Sequence, residues 1–200
     1  RPPRSTLFPY TTLFRSGKVS AAVGASELIR RFSPDCIVST GVAGGIDACL
    51  KVTDVVASQR LVYHDVWCGD GNEYGQVQGF PASYEGCSSL LKHALSLNEA
   101  GMESRIHSGL VCTGDQFITN RTELDTIKQR FPDGLAVDME SAAIAQTCYL
   151  YNVPFLSFRI ISDTPGVEDH ASQYADFWGT MAERSFLTIW TFLSTLPSNL

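Results

Sequence analysis

The chain has 200 residues, 44% hydrophobic and 18% charged, enough for one domain with a sizeable core and ordinary for a globular protein in water. A formal net charge of −6, with the 15 Lys and Arg scattered, argues against a phosphate-neutralising surface and so against a nucleic-acid partner. No apolar run approaches the roughly 20 residues that cross a bilayer, so we expect no membrane partner.

Residues 1–16 read unlike the rest. Ser5-Thr-Leu-Phe8 and Thr11-Thr-Leu-Phe14 nearly repeat, without a helical or strand period, and Pro and Thr interrupt the stretch too often for a signal peptide. We expect an artefactual or disordered leader, like a translated sequencing adapter joined to a genuine frame, ahead of one domain over residues 17–200. A helix is predicted over residues 18–32, where Val19, Ala22, Val23, Ala25, Leu28 and Ile29 form one apolar face and Arg30-Arg31 close the last turn. Pro34-Asp35 breaks it, residues 36–40 read as a buried strand, and Gly41-Val-Ala-Gly-Gly45 follows as a turn whose backbone a ligand could approach closely. Residues 54–63 form a longer strand, and residues 64–84, rich in Gly, Asp and Asn, a long loop of a length that is often functional.

A helix over residues 86–98 and a strand over 106–113 come next, with residues 114–118 as the exit loop. Residues 122–131 read as a helix with Glu123 near its positive end. A short strand at 135–137, a helix at 141–151 and a strand at 153–161 follow. One long helix is expected from about Ser172 through the stripe Phe177, Met181, Phe186, Ile189 and Phe192. Strands alternating with helices predict a three-layer α/β/α domain around a mixed, largely parallel sheet.

None of the six cysteines forms a C-x-x-C pair, and Cys36, Cys112 and Cys148 lie in apolar runs, which points to reduced, buried thiols and leads us to expect a cytoplasmic location. The four histidines show no ligand spacing, so neither metal nor cofactor is expected. The chemistry concentrates in Ala136-Val-Asp-Met-Glu-Ser141 and Arg159-Ile-Ile-Ser-Asp163, which put carboxylates at the C-terminal ends of two strands, predicted to be neighbours, where open α/β sheets bind small ligands. Glu140, beside the thioether of Met139, suits a vicinal diol; its plainer role is an acid at a helix start. Asp138 reads as a dipole partner or a fold-stabilising group. Asp163 reads equally as a general acid, if apolar surroundings raise its pKa, or as a turn acid before Thr164-Pro165-Gly166. Phe117-Ile118 offers an aromatic face and backbone donors to a heterocycle, or simply core.

Thr40-Gly-Val-Ala-Gly-Gly45, Tyr63-His-Asp65, Glu73-Tyr-Gly-Gln76, Gly114-Asp-Gln-Phe-Ile118, Val137-Asp-Met-Glu140 and Arg159-Ile-Ile-Ser-Asp163, in this order and spacing, resemble the 5′-methylthioadenosine/S-adenosylhomocysteine nucleosidases of the purine nucleoside phosphorylase superfamily. The resemblance runs from residue 17 to the last helix and implies a nucleoside phosphorylase-like fold, a homodimer, no cofactor, and hydrolysis of an N-ribosidic bond that releases adenine. It implies that Asp163 protonates the purine at N7, Ser162 positions Asp163, and Glu140 binds the ribose hydroxyls with Met139 packed on the sugar. Phe117 would stack on adenine, Ile118 offer its backbone to the base edge, Ala43 and Gly44 line the floor, Arg159 brace the ribose end, and Tyr174 close over the purine. It also places the water-activating glutamate in an N-terminal strand-loop, and implies that residues 17–200 form a domain lacking its first strands; residues 1–16 hold no acid, so weak or absent turnover is expected. Val42 stands where a hydroxyl is common, and residues 67–72 depart from the better-known pattern, leaving the 5′-substituent open. The alternatives are a phosphate-dependent phosphorylase or a futalosine- or AMP-type nucleosidase of the same fold, and a non-catalytic nucleoside-binding module.

Overall fold

The computed structural model describes residues 16–100, 104–165 and 169–197, so the expected leader, up to residue 15, lies outside the described residues. The helix α1 (Lys18–Phe32) buries Ala21, Ala25 and Ile29, one residue per turn on a single face. It stops where Ser33 turns left-handed and its N–H caps the Ile29 carbonyl. β1 (Ile37–Gly45), β2 (Val55–Tyr63) and the two-residue β3 (Tyr84–Glu85) follow, then α2 (Ser88–Ser96), extended by a 3-10 turn at Leu97–Ala100. β4 (Ile106–Thr113), α3 (Arg121–Arg130), β5 (Gly134–Asp138), α4 (Ser141–Tyr151) and β6 (Phe155–Asp163) complete the alternation. α3 begins at Asn120, whose side chain accepts the Glu123 N–H at 3.0 Å.

The sheet order is β3-β2-β4-β5-β1-β6. The long pairings, β1 with β6 and β2 with β4, are parallel, as is β4 with β5. β1 meets β5 antiparallel only at Gly44↔Val137 and Gly45↔Ala136, end against end, and the start of β2 pairs antiparallel with β6 (Val55↔Ile160), which closes the sheet on itself. Helices cover both sides. α1 and α4 pack over Val56, Leu61, Val111, Phe155 and Ile161; α2 and α6 (Ala182–Ser194) pack over Val55, Ala57, Leu156, Phe158 and Ile160. Every position of β6 is buried, the pattern of a strand covered on both faces.

Three expectations are corrected. The glycine run is not a turn: residues 41–45 continue β1, because β6 supplies ladder partners as far as Gly44 and β5 pairs with Gly44 and Gly45. The strands carrying Glu140 and Asp163 are not neighbours, since β1 lies between β5 and β6. The last helix is broken: α5 (His170–Asp176) and α6 are joined by a π-helical turn, Phe177–Met181. Phe177, Ile189 and Phe192 of the expected stripe are buried, Phe186 is exposed, and the Met181 side chain lies outside the described residues. The cysteines are free, but only Cys112 and Cys148 are fully buried; Cys36 and Cys87 are half-buried, Cys49 and Cys68 exposed.

Candidate active site

The ends of β1, β4, β5 and β6 enclose a cavity of about 170 Å³. Ala43 and Gly44 from β1, Phe117 and Ile118 after β4, Met139 and Glu140 after β5, Ser162 and Asp163 from β6, and Tyr174 from α5 all line it. Arg159 does not: its guanidinium lies behind the wall. A larger, more open hollow of about 310 Å³ adjoins it, lined by His64, Asp65, Tyr74 and Arg130 and sharing Gln116 and Ile118 with it. The smaller one brings together the carboxylates Asp138, Glu140 and Asp163 with the aromatic rings of Phe117 and Tyr174.

A buried polar network stands behind Glu140. Arg159 Nε donates to Asp138 Oδ2 at 2.7 Å, Thr113 Oγ1 donates to Oδ1 at 2.6 Å, and the Ser141 N–H and hydroxyl donate to the same carboxylate. Ser157 Oγ lies 2.6 Å from Ser141 Oγ. With its acceptor positions filled and its charge paired, Asp138 is a structural anchor. It fixes Arg159 so that Nη2 stands 4.0 Å from Glu140 Oε2, while Glu140 Oε1 accepts the Gly17 N–H at 2.9 Å. Gly41 is required here: a Cβ would stand 2.5 Å from Arg159 Nη1. Gly44 is likewise pressed between Pro165 and Val137, 2.7 and 3.2 Å from the position its Cβ would take.

The start of α1 ties the walls together. The Lys18 N–H donates to Asp115 Oδ1, Lys18 Nζ sits 2.8 Å from both Asp65 oxygens, and the Asp115 N–H donates to Asp65. The loop thus held carries Phe117, which is 57% exposed and meets the Tyr174 ring edge-on at 5.6 Å. An open aromatic face beside a second one is suited to a flat heterocycle.

Asp163 is the buried acid, 3% exposed. Burial pushes its pKa up, against hydrogen bonding from Ser162 and the nearby charge of His170, which pull it down. Ser162 Oγ donates to Oδ1 and lies 3.4 Å from the Ala43 carbonyl oxygen. His170 Nε2 lies 2.8 Å from Oδ2. Reasoning from the sequence missed Lys18, His170, Gln116 and Pro165; only His170 left a trace, four residues before Tyr174 and so on the same helical face.

The comparisons with known proteins agree with this geometry. The phosphorylase superfamily model matches residues 11–194. A 5′-methylthioadenosine/S-adenosylhomocysteine nucleosidase of Chromohalobacter salexigens is 45% identical over 157 residues, 78% of this chain and 67% of the relative. One from a Geobacillus species is 39% identical over 181 residues, 90% of this chain and 78% of its own. The Neisseria meningitidis nucleosidase of that name, solved with methylthio-immucillin-A, superposes with a TM-score of 0.84 at 35% identity, covering 90% of this chain and 78% of its own. The Colwellia psychrerythraea enzyme, solved with adenine, gives 0.85 at 35% identity over 92% and 77%. A shared fold, identity at this level across most of both chains, and a cavity built from the matching segments lead to one conclusion: the chain belongs to the phosphorylase superfamily, among the 5′-methylthioadenosine/S-adenosylhomocysteine nucleosidases.

Proposed function

We infer that the chain hydrolyses the N-ribosidic bond of 5′-methylthioadenosine and S-adenosylhomocysteine and releases adenine. The observation that carries this reading is one cavity lined by a buried, pKa-raised Asp163 and by a Glu140 carboxylate held by Gly17 beside Arg159. Asp163, protonated, gives its proton to N7 of the purine, and the electrons of the breaking C1′–N9 bond pass into the base. Glu140 accepts the ribose hydroxyls, and its negative charge favours the cationic sugar that develops as the base departs. Water adds at C1′ and loses a proton. Met139 packs on the sugar, Phe117 and Tyr174 bracket the base, and the Ile118 backbone meets its edge. Ala43 and Gly44 form the floor, and Arg159 steadies Glu140 from behind. No organic cofactor is needed for this reaction.

The carboxylates lining the cavity, among the described residues, are Asp138, Glu140 and Asp163. Asp138 is engaged with Arg159, Glu140 serves the sugar and Asp163 the base. The test is adenine release from methylthioadenosine in phosphate-free buffer and again with phosphate. Release without phosphate supports the hydrolase; release only with phosphate makes the protein a phosphorylase, which Val42, carrying no hydroxyl on the cavity wall, disfavours. Binding without release under either condition supports a nucleoside-binding module. We also propose a homodimer acting in the cytoplasm. Among the described residues no helix is long and apolar enough to cross a membrane.

A further inference from the structure

His170 has no part in the chemistry above, yet it touches the group on which that chemistry depends. It opens α5, is 8% exposed, and brings Nε2 to 2.8 Å from Asp163 Oδ2. The other oxygen, Oδ1, is taken by Ser162. Oδ2 is therefore the oxygen left to face N7 of a bound purine, and the imidazole stands against it. The ring is turned so that Nε2 makes no aligned hydrogen bond to any partner, so the contact is electrostatic and weakly directional. A contact of that kind is surrendered at little cost when a better-aligned partner arrives. His170 is also coupled to the base-stacking wall. Its ring lies 6.1 Å from that of Phe117, and Tyr174, one helical turn along α5, meets the same Phe117 ring.

We propose that His170 is a positioning residue for the leaving-group acid: its imidazole holds Asp163 Oδ2 while the pocket is empty and yields that oxygen to N7 of the incoming purine. The proposal rests on the reading of Asp163 as the acid that serves N7. The neighbours of the imidazole among the described residues are Asp163 from β6 and the Phe117 ring from the loop after β4, and the acid next to it in the chain is Asp169. Asp169 is exposed and accepts from Gln173. Asp163 is thus the carboxylate in contact with the ring. A donor or cation at that distance favours the ionised carboxylate and opposes the effect of burial. Removing it lets Asp163 keep its proton to higher pH.

The test is adenine binding by the full chain, measured by titration calorimetry from acid to alkaline pH, with 7-deazaadenine as the control that lacks the N7 acceptor. Adenine affinity should fall as pH rises and Asp163 loses the proton it donates to N7, whereas 7-deazaadenine should show no such limb. In His170→Phe the limb should move to higher pH by about one unit, the size expected when a donor or cation in close contact with a carboxylate is removed. His170→Gln, which restores an N–H donor, should bring it part of the way back. His170→Leu provides a second apolar variant should the Phe ring not fit, and thermal unfolding verifies that each variant is folded. An unmoved limb in the folded apolar variants overturns the proposal and leaves Asp163 as the acid. Identical pH dependence for adenine and 7-deazaadenine overturns the N7 reading itself, and the proposal with it.

Discussion

Asp163, the proposed acid, would tie stability to catalysis through one side chain. Its pKa is raised in the folded state, so the fold binds the proton more tightly than the unfolded chain does. That contribution is complete at low pH and erodes as pH climbs from the ordinary carboxylate range through the raised value. Asp163→Asn cannot ionise, so it should melt at a higher temperature than the parent at neutral pH while losing about 10²- to 10⁴-fold in kcat, the usual worth of a general acid. A kcat within a few-fold of the parent would remove Asp163 from the mechanism. In the parent, kcat/KM should decline as pH rises through that value, because only the protonated form delivers the proton. From the sequence Asp163 reads equally as a general acid or a turn acid, because its burial and its contact with His170, which raise and lower its pKa, are set by tertiary packing. Arg159 shows the converse. Its motif marks it as a site residue, yet it works one layer back, on Asp138. Arg159→Ala should cost about 3–5 kcal/mol by leaving that buried carboxylate unpaired, read as a lowered urea midpoint. A loss under 1 kcal/mol would show that the network is dispensable.

At the scale of elements, the site depends on where α1 begins. Lys18 joins Asp65 and Asp115, and Gly17 reaches Glu140, so one helix start sets both the sugar carboxylate and the loop that presents Phe117. The pair is half-buried, which makes it worth more than a surface ion pair and less than a buried one. Lys18→Met should raise KM for methylthioadenosine about fivefold, equivalent to about 1 kcal/mol, and Lys18→Arg should restore most of it. An unchanged KM in Lys18→Met would detach α1 from the site. The limits of α1, β4 and α4 agree with those read from the sequence, where Pro34-Asp35 breaks the first helix and apolar runs mark the other two elements. The misread elements have a common physical cause. Glycine favours turns locally, but residues 41–45 are drawn into a strand by β6 on one side and β5 on the other, a choice made by partners distant in the chain. A 3.6-residue period likewise cannot register one extra residue per turn, so the π-helical turn between α5 and α6 stayed hidden behind a continuous apolar stripe.

For the whole molecule, alternation of strands and helices made the layered class legible, while the closure of β2 onto β6 was not, because edge pairing leaves no mark on hydropathy. The same limit applies outward, to surfaces that await another chain. Val19 and Val23, one turn apart on α1, are 76% and 64% exposed, and Trp67 stands out from the 64–84 loop. Apolar residues exposed on one helix face are the usual mark of an association surface. α1 also reaches Glu140 through Gly17, so a partner pressing on this face would bear on the sugar pocket. Sedimentation at micromolar concentration is expected to give twice the monomer mass. Val23→Asp, which places a charge on that face without touching the buried Ala21, Ala25 and Ile29 side, should shift the protein toward monomer and weaken adenine binding together. A monomeric parent that binds adenine as tightly as its Val23→Asp variant would show that each chain completes its own pocket.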